Sequence, residues 1–128
     1  MRIRRWVLVA ALLALPLTPS RAARDLALPE TATQLELVVF ERAGCLYCEV
    51  FHRDVLPRYK ASLTAAQAPL RFVDITAVDV DRLALRASIT TIPTVVLMKD
   101  GQEVDRIVGY TGPETFFQLV AHMLGRAE

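Results

Sequence analysis

Cysteine is scarce in this sequence: only Cys45 and Cys48 carry a thiol, with two residues between them. That count excludes a framework of structural disulfides, and a bridge closing so short a loop adds almost nothing to stability. The only histidines are His52 and His122, so a structural zinc site, which takes four ligands, has no ready donor set. The residue after Cys48 is Glu49 rather than histidine, which excludes covalent haem attachment at this pair. There is no surplus of basic charge, with 15 Lys and Arg against 14 Asp and Glu, and hence no electrostatic reason to expect nucleic acid. Repeats and low-complexity tracts are lacking too. What remains is one small globular domain and a dithiol that structure alone does not explain.

The N-terminus reads as a targeting segment. Arg2, Arg4 and Arg5 give a basic start, Val7 to Leu17 is an apolar run broken only by Pro16, and Thr18 to Ala23 turns small and polar. This is the three-part layout of a secretory signal peptide. With Ser20 and Ala22 at the small-residue positions, cleavage is expected after Ala22, with export to the periplasm. The alternative is a retained anchor, but spanning hydrocarbon takes ~20 apolar residues and this run has about half that. Cleavage removes four of the 15 basic residues and none of the 14 acids, leaving a net charge near −3. The expected organisation is a signal peptide over 1–22, a leader over 23–34 and a folded domain over 35–128.

Within the domain, Leu35 to Phe40 reads as a buried strand and Arg42 to Gly44 as a turn. From Cys45 the period becomes helical, with Phe51, Val55 and Tyr59 on one face widened by Leu56, and Pro57 should kink or end that helix. Ala61 to Pro69 reads as a loop or ragged helix end, and Leu70 to Ile75 as a second strand. Asp79 is expected to cap a short helix whose inner face is Val80, Leu83, Ala84 and Ala87. Thr94 to Met98 and Glu103 to Val108 form a hairpin about Asp100-Gly101, the second strand alternating Val104, Arg106 and Val108 against polar neighbours. A capping box over Thr111 to Glu114 should open a last helix burying Phe116, Leu119, Val120, Met123 and Leu124, with Gly125 ending it. The order is β-α-β-α-β-β-α, an α/β fold with flanking helices on a mixed four-stranded sheet. The two crossovers predict parallel strands, and the hairpin an antiparallel edge.

The chemistry lies at Cys45-Leu46-Tyr47-Cys48, between a strand and a helix. The unpaired N–H groups and dipole at a helix start favour an anion, and the thiolate is the nucleophile. Cys45 falls at that start near the surface and Cys48 one turn in, facing the core. Cys45 should therefore react first, forming a mixed disulfide, and Cys48 should resolve it. Arg42 adds positive charge nearby, or is simply a solvated loop charge. His52 tunes Cys48 as a cation when protonated, or is a solvated helix residue. Tyr47 shapes the surface met by a client or covers the second thiol, and His122 belongs to the surface of the last helix. No metal or other cofactor is expected. The alternative from a different class is an exported copper(I)-binding module on the same two thiolates. A methionine-rich loop would have supported it, but Met98 and Met123 fall in a strand and a core helix.

Over roughly residues 35–124 the sequence resembles the thioredoxin superfamily, on the dithiol motif followed by Thr91-Ile92-Pro93-Thr94 leading into VVLMKDG. The resemblance implies a thioredoxin-like fold, a cis-proline at Pro93 beside the dithiol, and pairing of the Ile92 backbone with an extended client. ERAGCLYCEVFHRDV is similar, more closely, to the periplasmic thioredoxin-like proteins of bacterial sulfur-oxidation (Sox) systems. That implies a monomeric reductase, recharged by a membrane thiol donor, which acts on a client protein's disulfide or modified cysteine and keeps a sulfur-carrier protein active. Two departures stand out. Val39 occupies the place of the superfamily's buried acid, with neither Glu36 nor Glu41 obviously replacing it, and Gly44 stands where a tryptophan is usual.

Overall fold

The computed structural model describes residues 33–128. The expected signal peptide over 1–22 and most of the expected leader lie outside these residues. The sheet has the order β2-β1-β3-β4, built from β1 (Leu35–Glu41), β2 (Leu70–Asp74), β3 (Thr94–Lys99) and β4 (Gln102–Val108). Among the described residues four α-helices accompany it: α1 (Leu46–Asp54), α2 (Leu56–Lys60), α3 (Thr64–Gln67) and α4 (Pro113–Ala127). The expected mixed four-stranded sheet with flanking helices is the architecture found.

Strand direction corrects one expectation. β1 and β2 are parallel, but β3 runs antiparallel to β1, with Phe40 opposite Thr94. The reason lies in the connection. The segment after Asp74 returns to the sheet at the end where β1 and β2 finish, so β3 starts there and runs back. No crossover to the far end takes place, and no full helix forms. Asp74 accepts from the Thr76 N–H and hydroxyl, and Val80–Arg82 makes a single 3-10 turn. Asp79 sits before that turn without a capping hydrogen bond and pairs with Arg82 instead. Leu83, Leu85 and Ile89 then pack inward while Ala84 and Ala87 are exposed.

Alternation along β1 splits the core. Leu37 and Val39, with Val95 and Leu97, face Phe51, Val55, Tyr59, Phe116 and Val120 of the helical layer. Val38 and Phe40, with Val73, Val96 and Met98, face the non-helical segment beneath. Fully burying side chains of this kind contributes about 1.5–3 kcal/mol each. Pro57 acts as anticipated: α1 ends at Asp54 and α2 restarts with proline in its first turn, where a missing N–H costs nothing.

Three terminal details differ from the sequence reading. α4 starts from Gly112 at φ 117 with Pro113 in its first turn, and no Thr111 side-chain cap forms. It runs through Gly125 to Ala127, and Leu119 is 40% exposed. Opposite Leu97 and Met98 of β3, a register shift leaves Val104 of β4 as an extra residue. Such a bulge turns the following side chains over. Val104 and Ile107 therefore face the helical core, Glu103 and Arg106 share the other face, and Val108 is exposed.

Candidate active site

β1 delivers the chain to the sheet's end, and Ala43-Gly44 turns it into α1. Gly44 holds φ at 74, a backbone conformation that side-chain-bearing residues disfavour. Cys45 is the N-cap of α1 in extended conformation, and its Sγ accepts from the Cys48 N–H at 3.2 Å. Its carbonyl accepts from the N–H groups of Cys48 and Glu49. The sulfur therefore occupies the end of a nine-residue helix where unpaired donors converge. Cys45 and Cys48 form a disulfide with Cα atoms 5.2 Å apart. Cys45 is half-buried, while Cys48 is only 4% exposed and packs toward the core. On opening, this arrangement offers one accessible sulfur stabilised as an anion and one protected sulfur a turn deeper.

The surface around the disulfide is apolar: Leu46 and Tyr47 are both mostly exposed. The Ile92–Pro93 peptide is cis. Pro93 is buried, Ile92 half-buried, and both lie at the start of β3, beside the end of β1 from which the dithiol turn leaves. The Pro93 carbonyl accepts from the Gly109 N–H at 2.9 Å, and the Thr94 hydroxyl donates to the Thr91 carbonyl. Topology thus brings Cys45, Tyr47, Ile92 and Pro93 to one end of the sheet.

Arg42 is exposed, and its charge bears on Asp74. The Asp74 carboxyl is held below the usual range mainly by the two Thr76 hydrogen bonds, with Arg42 a smaller contributor. His52 is not merely solvated. Its Nε2 lies 2.5 Å from Glu41 Oε2, and its ring stacks on Phe72 with centroids 4.3 Å apart. Glu41 is the acid that reaches this histidine. It sits two residues beyond Val39 on the β1 face that looks toward α1, a relation legible in the strand's alternation, but its partner lies eleven residues away. Glu36, the other acid of β1, is taken by Arg71.

His122 is exposed on α4. Met98 and Met123 belong to core clusters on opposite faces of the sheet, so the two cannot jointly complete a copper site. Among the described residues there is no group of three or more His, Cys, Asp or Glu able to hold a metal, and no helix long and apolar enough to cross a membrane.

Comparison with known proteins agrees with this geometry. Residues 26–124 match the thioredoxin-like domain family. The crystal structure of the periplasmic thioredoxin SoxS from Paracoccus pantotrophus, in its reduced form, is similar at 33% identity and a TM-score of 0.69, covering 74% of this chain and all of that one. Thioredoxin from Fasciola hepatica superposes with a TM-score of 0.56 at 26% identity, over 70% of this chain and 81% of its own. The thioredoxin of Chlamydia trachomatis is 40% identical over 62 residues, which is 46% of this chain and 61% of that protein. The chain therefore spans about three fifths of the length of the curated relatives it matches.

Proposed function

The chain belongs to the thioredoxin-like family, and from that premise we propose that it is a periplasmic thiol–disulfide oxidoreductase working as a reductant of client proteins. The observation that carries the proposal is the Cys45 sulfur at the start of α1, accepting the Cys48 N–H, with Cys48 buried behind it. Reduced Cys45, as a thiolate, attacks the nearer sulfur of a client disulfide. The client's own S–S bond breaks, and a mixed disulfide with Cys45 forms. Cys48 then attacks Cys45, the client sulfur leaves with the electron pair, and the intramolecular disulfide closes. Electrons return from a membrane thiol donor. Exposed Leu46 and Tyr47 offer apolar contact to the client, and the Ile92 backbone beside Pro93 offers strand-type hydrogen bonds.

Two lines support the periplasmic and sulfur-oxidation assignments. One is the signal-peptide layout of residues 1–22. The other is similarity to a protein named a periplasmic thioredoxin, alongside the Sox-like segment ERAGCLYCEVFHRDV. The client class is then a carrier protein whose cysteine must be kept reduced. Turnover of a protein disulfide tests the chemistry. Cys45→Ser should abolish it, and Cys48→Ser should accumulate a mixed disulfide detectable by intact mass. Wild-type turnover in Cys45→Ser would end the reading.

A further inference from the structure

Resolution requires Cys48 to lose its proton, yet Cys48 is nearly sealed from water. Burial in apolar surroundings disfavours the thiolate, so a base has to be supplied by the protein. The charged and titratable groups on the surrounding elements are mostly committed. Glu49 on α1 faces solvent. Arg53 and Asp54 at its end bind each other. Asp74 on β2 is held by Thr76, with Arg42 nearby, and Glu36 is paired with Arg71 at the far end of β1. Tyr110 packs edge-on against Phe51, and burial pushes its phenol up, away from service as a base. Glu41 and His52 are left, committed to each other.

Their placement suits the task. Side chains four apart on a helix are neighbours, so His52 lies one turn beyond Cys48. Glu41 reaches the same region from β1, sharing a face with Leu37 and Val39, which pack under α1. The carboxylate accepts the Nε2–H of His52 at 2.5 Å. An ionised carboxylate can only accept, so Nε2 is the donor and Nδ1 is the ring nitrogen left to take a proton. Stacking on Phe72 limits the ring's rotation.

We propose that His52, positioned by Glu41, takes the Cys48 proton in the resolving step. The proton passes from Cys48 Sγ to His52 Nδ1, directly or through one water. The thiolate left behind forms the bond to Cys45 Sγ, the Cys45–client bond breaks, and the client thiolate leaves. His52 afterwards returns its proton to solvent. Glu41 touches no reacting atom and is a positioning residue.

This inference rests on the oxidoreductase reading, and the test separates the two. Reduced protein is mixed with dithiobis(nitrobenzoate) in a stopped flow. The first thionitrobenzoate released reports attack by Cys45, the second reports resolution by Cys48. His52→Gln, at a 38% exposed side chain, should leave the first phase unchanged. It should slow the second about a hundredfold near neutral pH, within the usual range for a positioned base. The remaining rate should rise with pH until the thiol ionises by itself, and imidazole should restore part of the rate in His52→Ala. Glu41→Gln should slow the second phase less than His52→Gln does and leave the first phase unchanged. A second phase of wild-type rate and pH profile in His52→Gln, or equal slowing of both phases, overturns the assignment. Release of a single equivalent by the wild type overturns the resolving role of Cys48 itself.

Discussion

Tyr59 concentrates several forces on one side chain. Its ring is buried against Phe116 and stacked near Phe117, and its hydroxyl donates to the Ala68 carbonyl at 2.6 Å. Burial pushes the phenol up to about 12. The native state therefore favours the neutral form. This contribution is complete below the unfolded value of about 10 and is lost as pH rises from there toward the native value. Tyr59→Phe should cost about 1–2 kcal/mol, because the Ala68 carbonyl is left without its donor. It should also flatten that alkaline decline, and urea unfolding at neutral pH and near pH 10 reads both effects. The position was legible, since Phe51, Val55 and Tyr59 repeat at helical spacing. The acceptor was not. It lies within the stretch expected as a loop or ragged helix end, just past α3, and spacing says nothing about which carbonyl a hydroxyl will meet. The same holds for Glu41 and His52, each visible as a residue but not as a pair.

At the scale of elements, β4 and the segment before β3 form a single device. The bulge at Val104 turns Glu103 and Arg106 to one face, where they make a two-bonded ion pair with the Glu103 side chain 2% exposed. Glu103 also accepts from the Arg86 N–H at 2.6 Å, and Arg106 donates to the Ala87 carbonyl at 2.9 Å. With Ala84 bridged to Gln102, the pair supplies hydrogen bonds that a helix over 79–87 would have made internally. Helix periodicity suggested that helix, and a clamp from a distant strand was invisible to it. Glu103→Ala should cost about 3 kcal/mol, as it strands a largely buried guanidinium. The Arg106 contact, assisted by the Arg86 N–H, holds the Glu103 carboxyl below the usual range. The stabilisation is thus present above the ordinary carboxylate value and is lost as pH falls through the lowered native one. Thermal melting at neutral pH and near pH 3 should show a steeper acid loss for wild type than for Glu103→Gln. Equal slopes would remove the clamp from the account of acid sensitivity.

For the whole molecule, the architecture was readable because strands and amphipathic helices announce themselves by period, and because the dithiol falls at the change of period. Strand direction was not, since it depends on which end of the sheet a connection returns to, and periodicity carries no such information. The proposed export belongs to this scale too. Full-length protein produced in a bacterium with a periplasm should be recovered there with Ala23 as its first residue by intact mass. A product retaining residues 1–22 would replace the cleaved signal with an anchor.

The two sides of the sheet are guarded by different means. Above, helices satisfy their own backbones, and losing one side chain leaves the rest in place. Below, a nearly unpatterned ribbon covers Val38, Phe40, Val96 and Met98, tethered at mid-length by β4 through Glu103 and Arg106. Leverage over the protein's integrity is therefore uneven. One ion pair on an edge strand governs much of the floor of the molecule, and that same ribbon ends at Ile92 and Pro93.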